Sequence, residues 1–421
     1  MKPGTGRSGP RRALLTRRNA RRLSAVCSAL GALVVTSATL APEAAAVDVQ
    51  SKEWYLDFMG ADDIWKISTG KGVKVAVVDT GVNAATPTLR GQVLLDEVPK
   101  SMAYHVTHDK EGHGTSMAEI IAGTGAGGGI KGLAPDAKIV PFRVDLGKLQ
   151  GEEIGRTPAL PKVIRAVADS DVKIINMSFG AGDTADGTDA AVRYAVSKGK
   201  LLFASVGNDG DMGNMPSYPA KYPGVVGVSA LDKTGTVAKF STFGNYVDLS
   251  APGLHVPSWC DGTFTEYCDT DGTSPASAIA SASAALIWSA HPDWTANQVL
   301  RSLVDTAARS WPKDTPSRYL GYGGVRPRRV LINKDIDPGP PDVDPLAAQN
   351  GSLSATPSPS AKAPSGKPTK EAGSANGPTS AAAKESDSGG DTQTWVIIGA
   401  VAAVLVIGGA GFAVLRARRN A

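Results

Sequence analysis

Apolar positions cluster in short unbroken runs at residues 73–78, 139–144, 173–178, 201–205 and 225–229. Runs of that length and kind read as strands buried on both faces. Between them, residues 114–122, 161–168 and 190–198 read as helices. Strands alternating with helices predict βαβ units, hence an α/β fold with a mostly parallel central sheet flanked by helices. In such sheets binding and chemistry collect beyond the carboxyl ends of the strands. The residues that follow each apolar run are therefore the ones to weigh.

Both ends of the 421-residue chain depart from this pattern. Arg11, Arg12, Arg17, Arg18, Arg21 and Arg22 precede an uncharged run at residues 26–40, and then Ala44-Ala45-Ala46. A basic start, a short apolar run and small residues describe a secretory signal peptide over residues 1–46. The pair Arg17-Arg18 also fits twin-arginine export, so the route stays open. At the other end, residues 395–415 carry no charge and have the length of one transmembrane helix, with Arg416, Arg418 and Arg419 directly behind. Basic flanks stay cytoplasmic, which puts the preceding chain outside the cell membrane. Residues 337–394 are rich in Pro, Ser, Ala, Gly and Thr, a composition that cannot bury enough surface to order itself. They are expected to form a linker of about 40 Å root-mean-square span. One folded domain, residues 47–336, remains, with a cytoplasmic tail at 416–421.

The net charge of +4 owes much to the terminal arginines and gives no support to nucleic acid as a partner. No Cys/His cluster of metal-site spacing appears among the three cysteines and five histidines. Cys27 falls in the signal segment. Cys260 and Cys268 are close in sequence in an oxidising compartment, which favours a small disulfide-closed loop over two free thiols.

Four residues stand where chemistry is expected. Asp79 closes the first apolar run and is followed by Thr80-Gly81. Taken alone it could be a turn aspartate, and Asp-Thr-Gly also suggests an aspartic protease. That chemistry needs a second such carboxylate to share a proton, and none follows an apolar run elsewhere. His113 sits between Gly112 and Gly114, ahead of a helical stretch, and no other histidine has such a setting. Ser274 stands before Pro275 and a small-residue helix, at a helix N-terminus that favours developing negative charge. An ordinary helix cap is its bland alternative. Asn208, between Gly207 and Asp209, could offer an amide to an oxyanion or could simply occupy a turn.

Asp79-Thr-Gly, Gly-His113-Gly-Thr, Gly207-Asn208 and Gly272-Thr273-Ser274, in this order, resemble the subtilase family of serine proteases. Residues 175–180, 218–223 and 251–253 agree as well, so the likeness spans nearly the whole folded part. It implies a subtilisin-like fold and a serine endopeptidase with Asp79, His113 and Ser274 as catalytic triad and Asn208 as oxyanion donor. It also implies that Ser178, Phe179 and Gly180 pair with substrate backbone, and that Ser205, Val206 and Gly207 line the pocket for the residue before the cut. No cofactor is implied. Structural calcium is common in the family, but no binding loop is recognisable here.

The order of signal peptide, protease, Pro-rich linker and anchored tail is similar to the mycosins, membrane-bound subtilases associated with type VII secretion. Protein or peptide substrates, one membrane helix and secretion-complex partners would follow. Three departures stand out: Pro275-Ala276-Ser277 after the serine, Ser205-Val206 before Gly207, and Ser116-Met117 after the histidine. None removes a catalytic atom, and together they predict activity of altered or narrow specificity. A scaffold whose catalysis is dispensable and a broad-specificity surface protease are the competing readings.

Overall fold

The computed structural model describes residues 49–350 except Thr184, together with Met1 and Gly4. The chain divides into two units, residues 1–356 and 357–421. The second, with the expected membrane segment and basic tail, lies outside the described residues, as do the expected signal segment and its cleavage point after Ala46.

Six parallel strands form the central sheet: β1 Lys74–Asp79, β2 Lys138–Arg143, β3 Ile174–Met177, β4 Leu201–Ser205, β5 Val225–Leu231 and β6 Leu249–Pro252. Their spatial order is β2-β1-β3-β4-β5-β6. Alternate residues of β1 to β5 feed two separate cores. Val75, Val77, Ile174, Phe203 and Val228 point to one face. Ala76, Val78, Ile175, Leu202 and Ala204 point to the other. Burial on both faces is why the strands read as continuous apolar runs.

Helices α1 His113–Ala122, α4 Thr273–Ala290 and α5 Ala296–Thr306 cover the first face; α2 Leu160–Ala168 and α3 Thr188–Ser197 cover the second. The α4 helix has no exposed face from Pro275 to Trp288. Ala276, Ala280 and Ala284 are all fully buried, and their small side chains let its backbone lie close to the sheet. β6 was not readable as a strand because it is short and runs into Pro252-Gly253. The hairpin of β7 Val256–Trp259 and β8 Tyr267–Thr270 escaped for the opposite reason, a largely exposed and polar second strand.

One boundary moves. Composition assigns residues 337 onward to the linker, yet residues 339–346 are docked on the domain. Gly339, Pro341 and Val343 carbonyls accept hydrogen bonds from Gln298, Asn297 and Arg301 of α5. Leu346 lies buried in the first core, 1% exposed. Polar composition hid this because the docking runs through backbone carbonyls and a single apolar anchor. Replacing Leu346 with Ala should cost about 3 kcal/mol of unfolding free energy in a urea titration. A change under about 0.5 kcal/mol, the range of exposed sites, would show that the segment is not docked.

Candidate active site

Strand β1 delivers Asp79, fully buried, to the carboxyl edge of the sheet. Facing it, α1 begins at His113, whose Nδ1 lies 2.7 Å from Asp79 Oδ1. The two elements approach so closely because residue 114 is glycine. A Cβ there would stand 2.2 Å from the Gly81 carbonyl oxygen and 2.9 Å from Asp79 Cβ. Thr80 pins the junction, its hydroxyl donating to Asp109 at 2.8 Å and accepting the Gly114 N–H at 3.0 Å.

Asp109 went unnoticed in the sequence, although an Asp at the head of a Gly-containing turn is a recognised turn and capping signal. Its buried carboxylate accepts the backbone N–H groups of Glu111, Gly112 and Thr115, and the hydroxyls of Thr80 and Thr115. This fastens the loop that enters α1 and sets the height of His113 against Asp79. Burial disfavours charge on the His113 ring, but the Asp79 carboxylate outweighs it, with help from Asp109 and Glu111, and holds the pKa above the ordinary 6.5. With Nδ1–H directed at Asp79, Nε2 is left as the free basic nitrogen.

Ser274 occupies the first turn of α4, as its sequence context predicts. Its hydroxyl donates to the Ser178 carbonyl at 2.7 Å, and the Ser178 hydroxyl returns a bond to the Ser274 carbonyl at 2.9 Å. Ser274 Oγ is thus turned toward Ser178 rather than bonded to His113. Under this turn lies Asn176 of β3, fully buried. It donates to Ser178 Oγ and accepts from Ser277 and Ser281 of α4. The serine in Pro275-Ala276-Ser277 is therefore a tie between helix and sheet.

Asn208 follows β4. Its Oδ1 accepts both the N–H and the hydroxyl of Thr273, at 3.0 and 2.9 Å. Two donors on one oxygen fix the amide, so its NH₂ group faces away from Thr273 and stays available. One cavity of about 290 Å³ is lined by His113, Ser274 and Asn208, with Trp259, Asp271 and Lys148 among its other walls. Asp79 lies beneath it, reached only through His113.

The remaining sequence candidates are placed unevenly. Ser178, Phe179 and Gly180 continue past the end of β3. Among the described residues, no backbone group takes the N–H or C=O of Phe179 or Gly180. Ser205 and Gly207 flank the opposite side, but the Val206 side chain is buried in the second core and offers only backbone.

Ser116 also has a task. It donates to the Gly112 carbonyl at 2.6 Å and accepts the Trp259 N–H at 2.9 Å, hanging the β7–β8 hairpin from α1. Cys260 and Cys268 are joined as a disulfide across that hairpin. Tyr267 adds a bond to Glu119 of α1. Glu119 is fully buried, and burial raises its carboxyl pKa. Among the described residues, no group of three His, Cys, Asp or Glu side chains is arranged to hold a metal ion.

The subtilase family of peptidases matches residues 70–323. A thermostable alkaline protease of Halalkalibacterium halodurans is 34% identical over 282 residues, 67% of this chain and 74% of that one. Among solved structures, MycP1 from Mycobacterium smegmatis superposes with a TM-score of 0.55 at 26% identity, covering 69% of this chain and 86% of that one. The MycP3 protease from the type VII (ESX-3) secretion system gives 0.53 at 28%, covering 66% and 88%. Strand order, helix placement and these likenesses agree: the chain belongs to the subtilase family and is a subtilisin-like serine endopeptidase.

Proposed function

We propose that Asp79, His113 and Ser274 form the catalytic triad of a membrane-tethered, extracytoplasmic endopeptidase that processes exported proteins. The observation that carries the triad is the 2.7 Å contact of His113 Nδ1 with Asp79, with His113, Ser274 and Asn208 lining one cavity. Ser274 Oγ rotates from the Ser178 carbonyl toward His113 Nε2, a rotamer change that is fast on the scale of turnover. Catalytic hydrogen bonds are often unformed before substrate binds.

His113 Nε2 takes the Ser274 proton as Oγ attacks the peptide carbonyl. The oxyanion is met by the Asn208 amide and by the N-terminus of α4, whose first N–H groups have no helical partners. Collapse breaks the C–N bond, and His113 gives its proton to the departing amine. Water, activated by the same imidazole, then releases the acyl group. Substrate lies along Ser178–Gly180 as an added strand, using the unpaired backbone of Phe179 and Gly180. Export and anchoring rest on the basic-apolar start of the chain and the uncharged segment 395–415. The processing role rests on likeness to MycP1, described as an essential component of the type VII (ESX-1) secretion system.

A fluorophosphonate probe should label the purified full-length chain at Ser274, and labelling should vanish in Ser274→Ala. A folded chain that takes no label would leave the scaffold reading in its place. Asn208→Ala should lower kcat by about 10²–10³-fold with little change in KM. Because Asp79 holds the His113 pKa up, activity should rise with pH through a midpoint above 6.5, as the ring loses its proton. Asp79→Asn should move that midpoint down in labelling-rate profiles; an unmoved midpoint would take the titrating group away from His113.

A further inference from the structure

We infer that the cavity beside strand β6, walled by residues 57–63 and 308–329, is a second binding site, and that it takes an acidic segment of another protein, one apolar side chain flanked by carboxylates. It shares no lining residue with the cavity that holds His113, Ser274 and Asn208. The inference therefore goes beyond the proposed triad and does not depend on it.

The cavity follows from how the sheet ends. β6 is its last strand, and Ser250 on that strand forms an isolated parallel bridge with Gly324. The Val325 N–H donates to the Ser250 carbonyl at 2.8 Å, which holds the following residues against the sheet edge. Glycine at 324 leaves a hollow there. A Cβ built on it would lie 3.3 Å from Leu231 Cδ1, 3.7 Å from Ala308 Cβ and 4.0 Å from Ser250 Oγ. Leu231 and Ser250 are buried, so this hollow is the inner end of the cavity. The whole space is about 710 Å³, within the roughly 300–1,000 Å³ of ordinary ligand sites. Met59, Trp311 and Leu320 add further apolar wall.

Two buried polar groups in these walls lack partners. Ser250 is fully buried, and its hydroxyl has no hydrogen bond among the described residues. The Trp311 indole N–H is also buried and unpartnered there. Such groups cost free energy until something satisfies them. A peptide backbone brings carbonyl and N–H groups to them, whereas an acyl chain brings neither. That favours a protein segment over a lipid.

Arginines set the charge. Arg309, Arg326, Arg328 and Arg329 line the cavity, against the carboxylates of Asp57 and Asp63. Arg328 is already paired with Asp63 at 2.8 Å. Arg309 and Arg326 donate to backbone carbonyls, including Val304 at 2.8 Å and Thr306 at 2.7 Å, and to no carboxylate among the described residues. The Arg329 guanidinium has no hydrogen bond or ion pair among them. Burial, and then the nearby Arg329 and Arg309, push the Arg326 pKa below its ordinary value. Guanidinium groups gathered without a counter-charge suit carboxylates, whose two oxygens match their forked donors.

The test uses the full-length chain carrying Ser274→Ala, which removes cleavage without touching the cavity. Binding is read by fluorescence anisotropy of a labelled peptide, Gly-Asp-Leu-Asp-Gly. The chain should bind it at least about tenfold tighter than Gly-Asn-Leu-Asn-Gly or Gly-Asp-Gly-Asp-Gly. Arg329→Glu, a change at an exposed side chain, should weaken it at least about tenfold, since it sets like charges together. Gly324→Ala fills the inner end and should erase the advantage of the leucine peptide over the glycine one. If that variant does not fold, Arg329→Glu still decides. Equal affinity for the charged and uncharged peptides would overturn the inference, as would no binding, or binding unmoved by Arg329→Glu. Attachment to phosphatidylglycerol vesicles that is lost in Arg329→Glu, with no binding of the peptide, would give the arginines to a lipid surface and overturn it as well.

Discussion

The cleft depends on one buried carboxylate that does not touch it. Asp109 is 4% exposed, and an unpaired carboxylate so placed would cost several kcal/mol. It is tolerable because three backbone N–H groups and two hydroxyls converge on its two oxygens. The same bonds determine the path of residues 109–115, so the requirement to satisfy Asp109 and the requirement to place His113 are met by one arrangement. Thr80 completes it by spanning Asp79, Asp109 and Gly114 with a single side chain. Strand β1 and helix α1 are locked together through polar contacts where an apolar interface alone would leave their relative height free.

A second polar knot does the corresponding work for the nucleophile. Helix α4 is buried almost throughout, and its alanines give close approach without fixing its rotation about its own axis. Asn176 does fix it, because Ser277 and Ser281, one turn apart, both reach the same amide oxygen. The amide nitrogen meanwhile bonds Ser178, whose carbonyl receives Ser274. Registry between sheet and helix is thus defined by hydrogen bonds that are satisfied only at one setting, consistent with the high cost of leaving buried polar groups unpaired.

Much of this was legible before any coordinates. Five of the six sheet strands stand out because burial on both faces makes them unbroken apolar runs, and the residues after β1 and β4 lie where parallel sheets place their chemistry. Asp79, His113, Ser274 and Asn208 were marked by flanking glycines and by helix-start signals. What stayed hidden has a common physical character. Asp109, Thr80, Asn176 and Thr273 act through hydrogen bonds to backbone and to one another, and nothing in a one-dimensional pattern distinguishes such residues from ordinary turn or cap residues. The docked residues 339–346 were misassigned because a Pro-rich composition says how little a segment can bury, and here one leucine and a few carbonyls suffice.

The disulfide hairpin shows what a glycine permits where two backbone segments meet. At its tip, a Cβ on Gly262 would lie 2.3 Å from the Lys110 carbonyl oxygen, and a Cβ on Gly112 would lie 2.6 Å from that of Asp261. Backbone therefore rests on backbone, with no side chain between them to bend or change rotamer. The outer rim of the cleft and the turn that carries His113 are thus in direct backbone contact, and a side chain at either glycine would force the two apart.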